Sequence, residues 1–165
     1  MNYILSKKIL IAEDNQTVGE TFTQILQTRG YEVIWVKDGK EALDVYAKEN
    51  QIAKSKGEKP FDMVLMDFAM PKMNGIDVVK GILMMCTTQR IVFCTAFGKD
   101  LVREIPDYEK GIEILEKPIS LAQLLNIVEG NYAKTIREKE ADTKLKEWDN
   151  ISELETPNVG TPKNS

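Results

Sequence analysis

The sequence predicts an α/β fold: a doubly wound, five-stranded parallel sheet of the flavodoxin-like (βα)5 type, followed by a C-terminal helical extension. Two observations predict it. Short, continuously apolar runs of strand length alternate with amphipathic stretches of helical period, and those runs stop abruptly on polar or charged residues. Right-handed crossovers leave little besides an open parallel sheet with helices on both faces, and such sheets bind ligands beyond the carboxyl ends of their strands.

The first run, Lys8-Ile9-Leu10-Ile11-Ala12, is apolar as a strand covered on both faces must be, and it ends at Glu13-Asp14. Val18, Phe22, Ile25 and Leu26 then recur at helical spacing, with Gly30 where that helix stops. Tyr31 to Val36 is rich in β-branched and aromatic residues and reads as the second strand. Asp38, with Glu41 three residues on, forms a capping box for a second helix carrying Ala42, Leu43, Tyr46 and Ala47. The polar stretch Lys48 to Lys59 reads as an extension of that helix plus a solvated loop.

Phe61 to Met66 is the third strand and ends at Asp67. A loop from Phe68 to Asn74, containing Pro71, leads to a helix over Gly75 to Met85 with Ile76, Val79 and Leu83 inward. Arg90 to Cys94 is the fourth strand, Gly98 to Tyr108 a shorter helix weakened or ended by Pro106, and Gly111 to Glu116 the fifth strand. Ser120 with Gln123 opens the last helix. Residues 7–131 thus form the expected domain, 132–155 a helical extension and 156–165 a frayed tail with Pro157, Gly160 and Pro162. The thin stripe Ile136, Ala141, Leu145 and Trp148 on the extension reads as a solvated or partner-facing surface, with a homodimer as the second reading.

A chain of 165 residues has room for one such domain and no second catalytic one. The net charge of −4 arises from 26 acids and 22 bases mixed along the chain, and without a basic cluster direct DNA binding is not expected. No apolar run approaches the length of a secretory core or a bilayer span, so the expected location is the cytoplasm, with no membrane contact. Histidine is absent, which excludes histidine-based nucleophilic catalysis and histidine metal ligation. Cys86 and Cys94, in apolar surroundings and outside any CxxC pair, read as buried reduced thiols, and the methionines at 63, 66, 70, 73, 84 and 85 as core packing.

The chemistry gathers at strand ends. Glu13 and Asp14 follow strand one, Asp67 strand three and Lys117 strand five, with Thr95 after strand four, so all five are expected at one edge of the sheet. Carboxylates held within about 4 Å repel by roughly 4 kcal/mol per pair at an effective dielectric of 20, so a positive group must sit among them. Oxygen-only ligands select a hard ion, and a site shared with water and a phosphate favours Mg2+, with Mn2+ in its place as an alternative. Each residue taken singly has a plainer reading: the acids as helix-end charges, Thr95 as a strand residue, Lys117 as a loop lysine. Their joint placement is what argues for a site.

Glu13-Asp14-Asn15, the stretch Asp67-Phe68-Ala69-Met70-Pro71-Lys72-Met73-Asn74-Gly75, Thr95-Ala96 and Lys117-Pro118, in that order, resemble the receiver domain of two-component response regulators over about residues 7 to 131. The resemblance implies that Asp67 is the phosphoacceptor and that Asp14, Asp67 and the Ala69 carbonyl touch the metal, with Glu13 acting through a bound water. It implies that Lys117 pairs with Asp67 and then with a phosphoryl oxygen, that the Thr95 hydroxyl and the Ala96 N–H donate to other phosphoryl oxygens, and that Lys117-Pro118 is cis. The partners implied are a sensor histidine kinase or phosphotransfer protein and a downstream protein target. The chain after residue 131 is too short for an output domain, so a stand-alone, chemotaxis-regulator-like receiver is expected. It would promote its own aspartyl phosphorylation and dephosphorylation without being an enzyme for an outside substrate.

Two positions depart from the family pattern. Ile114 stands where receivers usually carry Tyr or Phe, so the usual threonine–aromatic relay is not carried over and the signal is expected to leave by another surface. Ala69 and Phe97 occupy positions that in this family tune the lifetime of the phosphoryl group. The competing readings are a phosphorylation-independent interaction module that kept the fold and a small-substrate phosphatase. The phosphatase would need a second acid where Ala69 stands, and neither GxxxxGK[ST] nor GxGxxG is present to bind a nucleotide.

Overall fold

The computed structural model describes residues 7–96 and 112–130. The elements follow in the order β1 (Lys8–Ala12), α1 (Gln16–Thr28), β2 (Glu32–Val36), α2 (Gly39–Lys56), β3 (Met63–Met66), α3 (Gly75–Met85), β4 (Ile91–Thr95), β5 (Ile112–Glu116) and α4 (Leu121–Val128). The expected helix over Gly98 to Tyr108, Phe97, Gly111, the extension 132–155 and the tail 156–165 lie outside the described residues.

The five strands form one parallel sheet in the order β2-β1-β3-β4-β5. Chain order reverses direction at β1 and β3, which makes the crevice beyond their carboxyl ends the natural ligand position of such a sheet. Register keeps the ends of β2, β1 and β3 level, Ala12 pairing with Val36 and Met66, while β4 and β5 end together two residues further on, with Met66 opposite Phe93 and Thr95 opposite Glu116.

Alternating strand residues feed two cores, one on each face. Leu10, Ala12, Val64, Met66, Ile91 and Phe93 pack with Ala42 and Tyr46 of α2 and with Val78, Val79 and Ile82 of α3. Ile9, Ile11, Met63, Leu65, Val92 and Cys94 pack with Leu26 of α1 and with Leu124, Ile127 and Val128 of α4. Double coverage is the reason the strands are apolar in succession rather than alternately. Among the described residues no helix is long and apolar enough to cross a membrane.

Side chains start the helices where short-range capping predicts. The Asn15 side chain accepts from the Val18 N–H, Asp38 from Glu41, Asn74 from Asp77 and Ser120 from Gln123, and Ser120 and Gln123 close a full capping box. The box expected at Asp38 is only half formed, because Glu41 turns back to the Lys37 N–H instead. The polar stretch after Ala47 is helical as far as Lys56, being built of strong helix formers, and Gly57 in the left-handed conformation ends it.

Other local expectations shift by small amounts. Strand two starts at Glu32 rather than Tyr31, strand three at Met63 rather than Phe61, and strand four runs one residue further, to take in Thr95. Cys94 is buried as expected, whereas Cys86, the residue that ends α3, is only half-buried. Met84 is 87 % exposed, because its neighbours Leu83 and Met85 take the core-facing side of the last turn.

Candidate functional site

Three of the expected residues leave their strands with the backbone still in the ladder. The Glu13 N–H donates to the Val36 carbonyl, the Asp67 N–H to Ala12 and the Lys117 N–H to Thr95, each at 3.0 Å. Residues gripped one step beyond the sheet have fixed backbones, so their side chains converge on the same edge. The Lys117-Pro118 peptide is cis.

The Lys117 ammonium lies 2.9 Å from Glu13 Oε2 and 2.9 Å from Asp67 Oδ2. Glu13 is buried, and its other oxygen accepts from the Asn15 N–H at 3.1 Å. Asp67 is half-buried, and its Oδ1 accepts from the Ala69 N–H at 3.2 Å. Glu13, Asp14 and Asp67 each offer one carboxylate oxygen, all within 4.8 Å of one another, with Asp14 the exposed member.

Burial pushes the Glu13 carboxyl up; Lys117 and the Asn15 N–H pull it back, and the net direction is upward. Burial lowers Lys117, but its bonds to Glu13 and Asp67 outweigh that and hold the ammonium above its ordinary value. The cluster keeps a firm positive charge at its inner side. Three carboxylates facing one ammonium still leave negative charge uncompensated, and an all-oxygen donor set open on the Asp14 side fits a hard divalent cation.

Thr95 ends β4 fully buried, and Ala96 follows in an exposed turn, beside the strand that delivers Asp67. Ala69 is exposed in the loop after Asp67. Ile114 is buried in the core on the α2 and α3 face of the sheet, opposite Phe93 in the ladder. Of the expected residues, Glu13, Asp14, Asp67 and Lys117 are brought together, and Lys117 pairs with Glu13 as closely as with Asp67, a pairing the sequence reading did not name. That reading also passed over Trp35, whose indole N–H donates to the Glu13 carbonyl at 2.9 Å. The only sequence signal for Trp35 is a bulky aromatic near the end of strand two.

The family model described as the response regulator receiver domain matches residues 9–129. The response regulator receiver protein CpdR of Brucella abortus is 28% identical over 123 residues, covering 74% of this chain and 94% of the relative. The chemotaxis protein CheY of Thermotoga maritima is 34% identical over 96 residues, covering 58% of this chain and 72% of the relative. Among solved structures, the CheX-CheY-BeF3-Mg2+ complex from Borrelia burgdorferi aligns with a TM-score of 0.63 at 27% identity, over 78% of this chain and 90% of that one. A response regulator receiver domain protein from Clostridium thermocellum aligns with a TM-score of 0.62 at 28% identity, over 76% of this chain and 92% of that one.

Proposed function

The chain belongs to the response regulator receiver domain family, and on that premise we propose that it is a cytoplasmic phosphorylation switch in which Asp67 accepts a phosphoryl group from a sensor histidine kinase or phosphotransfer protein. The observation that carries the reading is the Lys117 ammonium shared at 2.9 Å between Glu13 and Asp67, inside a cluster of three carboxylates. A lysine that bridges a buried acid and a half-buried acid beside a third carboxylate is placed to meet charge that arrives later.

In the proposed transfer an Asp67 oxygen attacks phosphorus in line with the donor bond, a P–O bond forms, and the donor leaves with the electrons of the bond it held. Lys117 follows the charge from the Asp67 carboxylate to a phosphoryl oxygen, and the Thr95 hydroxyl and Ala96 N–H donate to the remaining oxygens. Glu13 holds the lysine at the inner side of the cluster throughout, and by its own carboxylate keeps the amine protonated. Asp14, Asp67 and the Ala69 carbonyl are the residues that would hold Mg2+ or Mn2+, with Glu13 behind a water. When bound, the cation supplies charge neutralisation at the transferring phosphoryl oxygens. The Borrelia relative, whose structure carries BeF3 and Mg2+, supports this reading.

The added charge of about −1.5 to −2 would then shift a two-state equilibrium read by a downstream protein. Incubation with acetyl phosphate and Mg2+ should add one phosphoryl mass, detected in the intact protein, and Asp67→Asn should abolish it. Persistence of the adduct in that variant would overturn the assignment. Failure of the wild-type protein to take up phosphoryl or BeF3 would point to a phosphorylation-independent interaction module.

A further inference from the structure

Trp35 stands on β2, outside the acidic cluster, yet it reaches the peptide that the cluster depends on. Its indole N–H donates to the Glu13 carbonyl at 2.9 Å, while the next residue on the strand, Val36, accepts from the Glu13 N–H at 3.0 Å. Glu13 is thus held by β2 at both of its backbone polar groups. The ring also fills the space over α1: a Cβ on Gly19 would lie 2.2 Å from it, so the helix can approach only because that residue is glycine. The Lys37 ammonium sits 5.2 Å from the ring centroid. The turn from β1 to α1 is clamped between a strand and the first helix.

The clamp acts on Asp14 through covalent geometry. The Glu13 carbonyl belongs to the planar peptide that ends at the Asp14 Cα, so fixing the direction of that oxygen fixes the plane from which the Asp14 side chain departs. Asp14 is exposed and makes no helix-capping bond of its own, since Asn15 caps α1. Its place among the three carboxylates therefore depends on backbone orientation.

We infer that Trp35 is a positioning residue for the acidic cluster: its indole N–H locks the Glu13-Asp14 peptide plane and so holds the Asp14 carboxylate within reach of a cation, and its half-exposed ring reports movement of that turn. The inference rests on the proposed reading that the cluster holds a divalent cation. Sequence patterning hides the role, because an aromatic residue on a strand reads as packing.

The test uses the full chain carrying Trp148→Phe, which leaves Trp35 as the sole tryptophan of the two. Mg2+ is titrated with emission and calorimetry followed in parallel. A saturable emission change is expected to track the calorimetric binding curve. In the full chain with its native Trp148, Trp35→Phe should weaken Mg2+ affinity about five-fold, the scale of one neutral hydrogen bond. Replacement of Trp35 by its benzothiophene isostere, which keeps the ring shape and removes the N–H, should reproduce the loss and decides the matter if Trp35→Phe folds poorly. Wild-type affinity in the isostere, or flat emission while calorimetry records binding, would overturn the inference and leave the proposed function intact. Absence of calorimetric Mg2+ binding in the wild type would instead remove both.

Discussion

Lys72, at φ 68°, extends its ammonium to within 2.6 Å of Asp38, the residue that caps α2. The Asp38 carboxylate thereby does two jobs, one oxygen accepting from the Glu41 N–H at 2.8 Å and the other from Lys72. The loop that follows Asp67 is strapped to the start of a neighbouring helix.

This strap predicts an acid-limb signature. Lys72, and then the Glu41 N–H, hold the Asp38 carboxyl below its ordinary value. A carboxyl depressed in the folded state contributes stability that is complete above its unfolded pKa of about 3.9 and is lost as pH falls through the folded value. Asp38→Asn, which keeps a capping oxygen and loses the charge, should show a shallower fall in melting temperature below about pH 4. Parallel wild-type and variant curves across that window would remove the strap as a contributor.

Gly39 admits no larger residue. A Cβ there would lie 2.4 Å from the Met73 carbonyl oxygen and 2.9 Å from a Val78 methyl. A backbone oxygen cannot swing aside, so Gly39→Ala is expected to lower stability by about 1–3 kcal/mol, overriding the helix-propensity gain of about 1 kcal/mol. Urea unfolding should show a lower midpoint at unchanged slope.

Tyr46 is buried and donates to Gln89 Oε1 at 2.8 Å, with Gln89 itself buried. Tyr46→Phe strands that acceptor and should cost about 1–3 kcal/mol at neutral pH. Burial pushes the phenol above its ordinary value. The wild type therefore keeps this stability below about pH 10 and loses it as pH rises further, whereas the phenylalanine variant has no phenol to ionise. The gap between their melting temperatures should narrow above pH 10; a constant gap would contradict the assignment.

Removing Asp14 separates charge repulsion from cation binding. With three carboxylates facing one ammonium, Asp14→Asn should be at least as stable as the wild type in chelator, because one repulsive partner is gone. Saturating Mg2+ should stabilise the wild type by about 2.7 kcal/mol at a hundred times its Kd and the variant by much less at the same concentration. Equal Mg2+ responses in thermal melts would place the ion elsewhere.

Arg90, just before β4, ties two further elements to it. It meets Glu113 of β5 through two nitrogens, at 2.7 and 3.1 Å, and donates to the Ile127 carbonyl of α4 at 2.6 Å. Lysine is a point charge and cannot reproduce the fork, so Arg90→Lys should lose about 1 kcal/mol, water at this partly buried pair keeping the figure small. A denaturation midpoint equal to the wild type would show the fork to be dispensable.

Much of the fold was legible because it is written in short-range terms. The runs at 8–12, 63–66 and 91–95 are apolar in succession because helices cover both faces, and Asn15, Asp38, Asn74 and Ser120 start helices by bonding residues three positions on. Exposure within one helical turn was less legible: Leu83, Met84 and Met85 are all apolar, and only the position of the core decides that Met84 faces solvent.

By itself the sequence determined the strand and helix periods, the capping, and the set of polar residues that end the strands, since each depends on neighbours a few positions away. Tertiary structure alone decided that Lys117 bridges Glu13, 104 residues distant, as well as Asp67, that Trp35 grips the Glu13 carbonyl, and that Lys72 closes on Asp38. Those pairings follow from the strand order and the neighbouring carboxyl ends of the sheet, which bring distant groups within hydrogen-bonding distance, and no local pattern in the chain encodes which of several nearby polar groups will then meet.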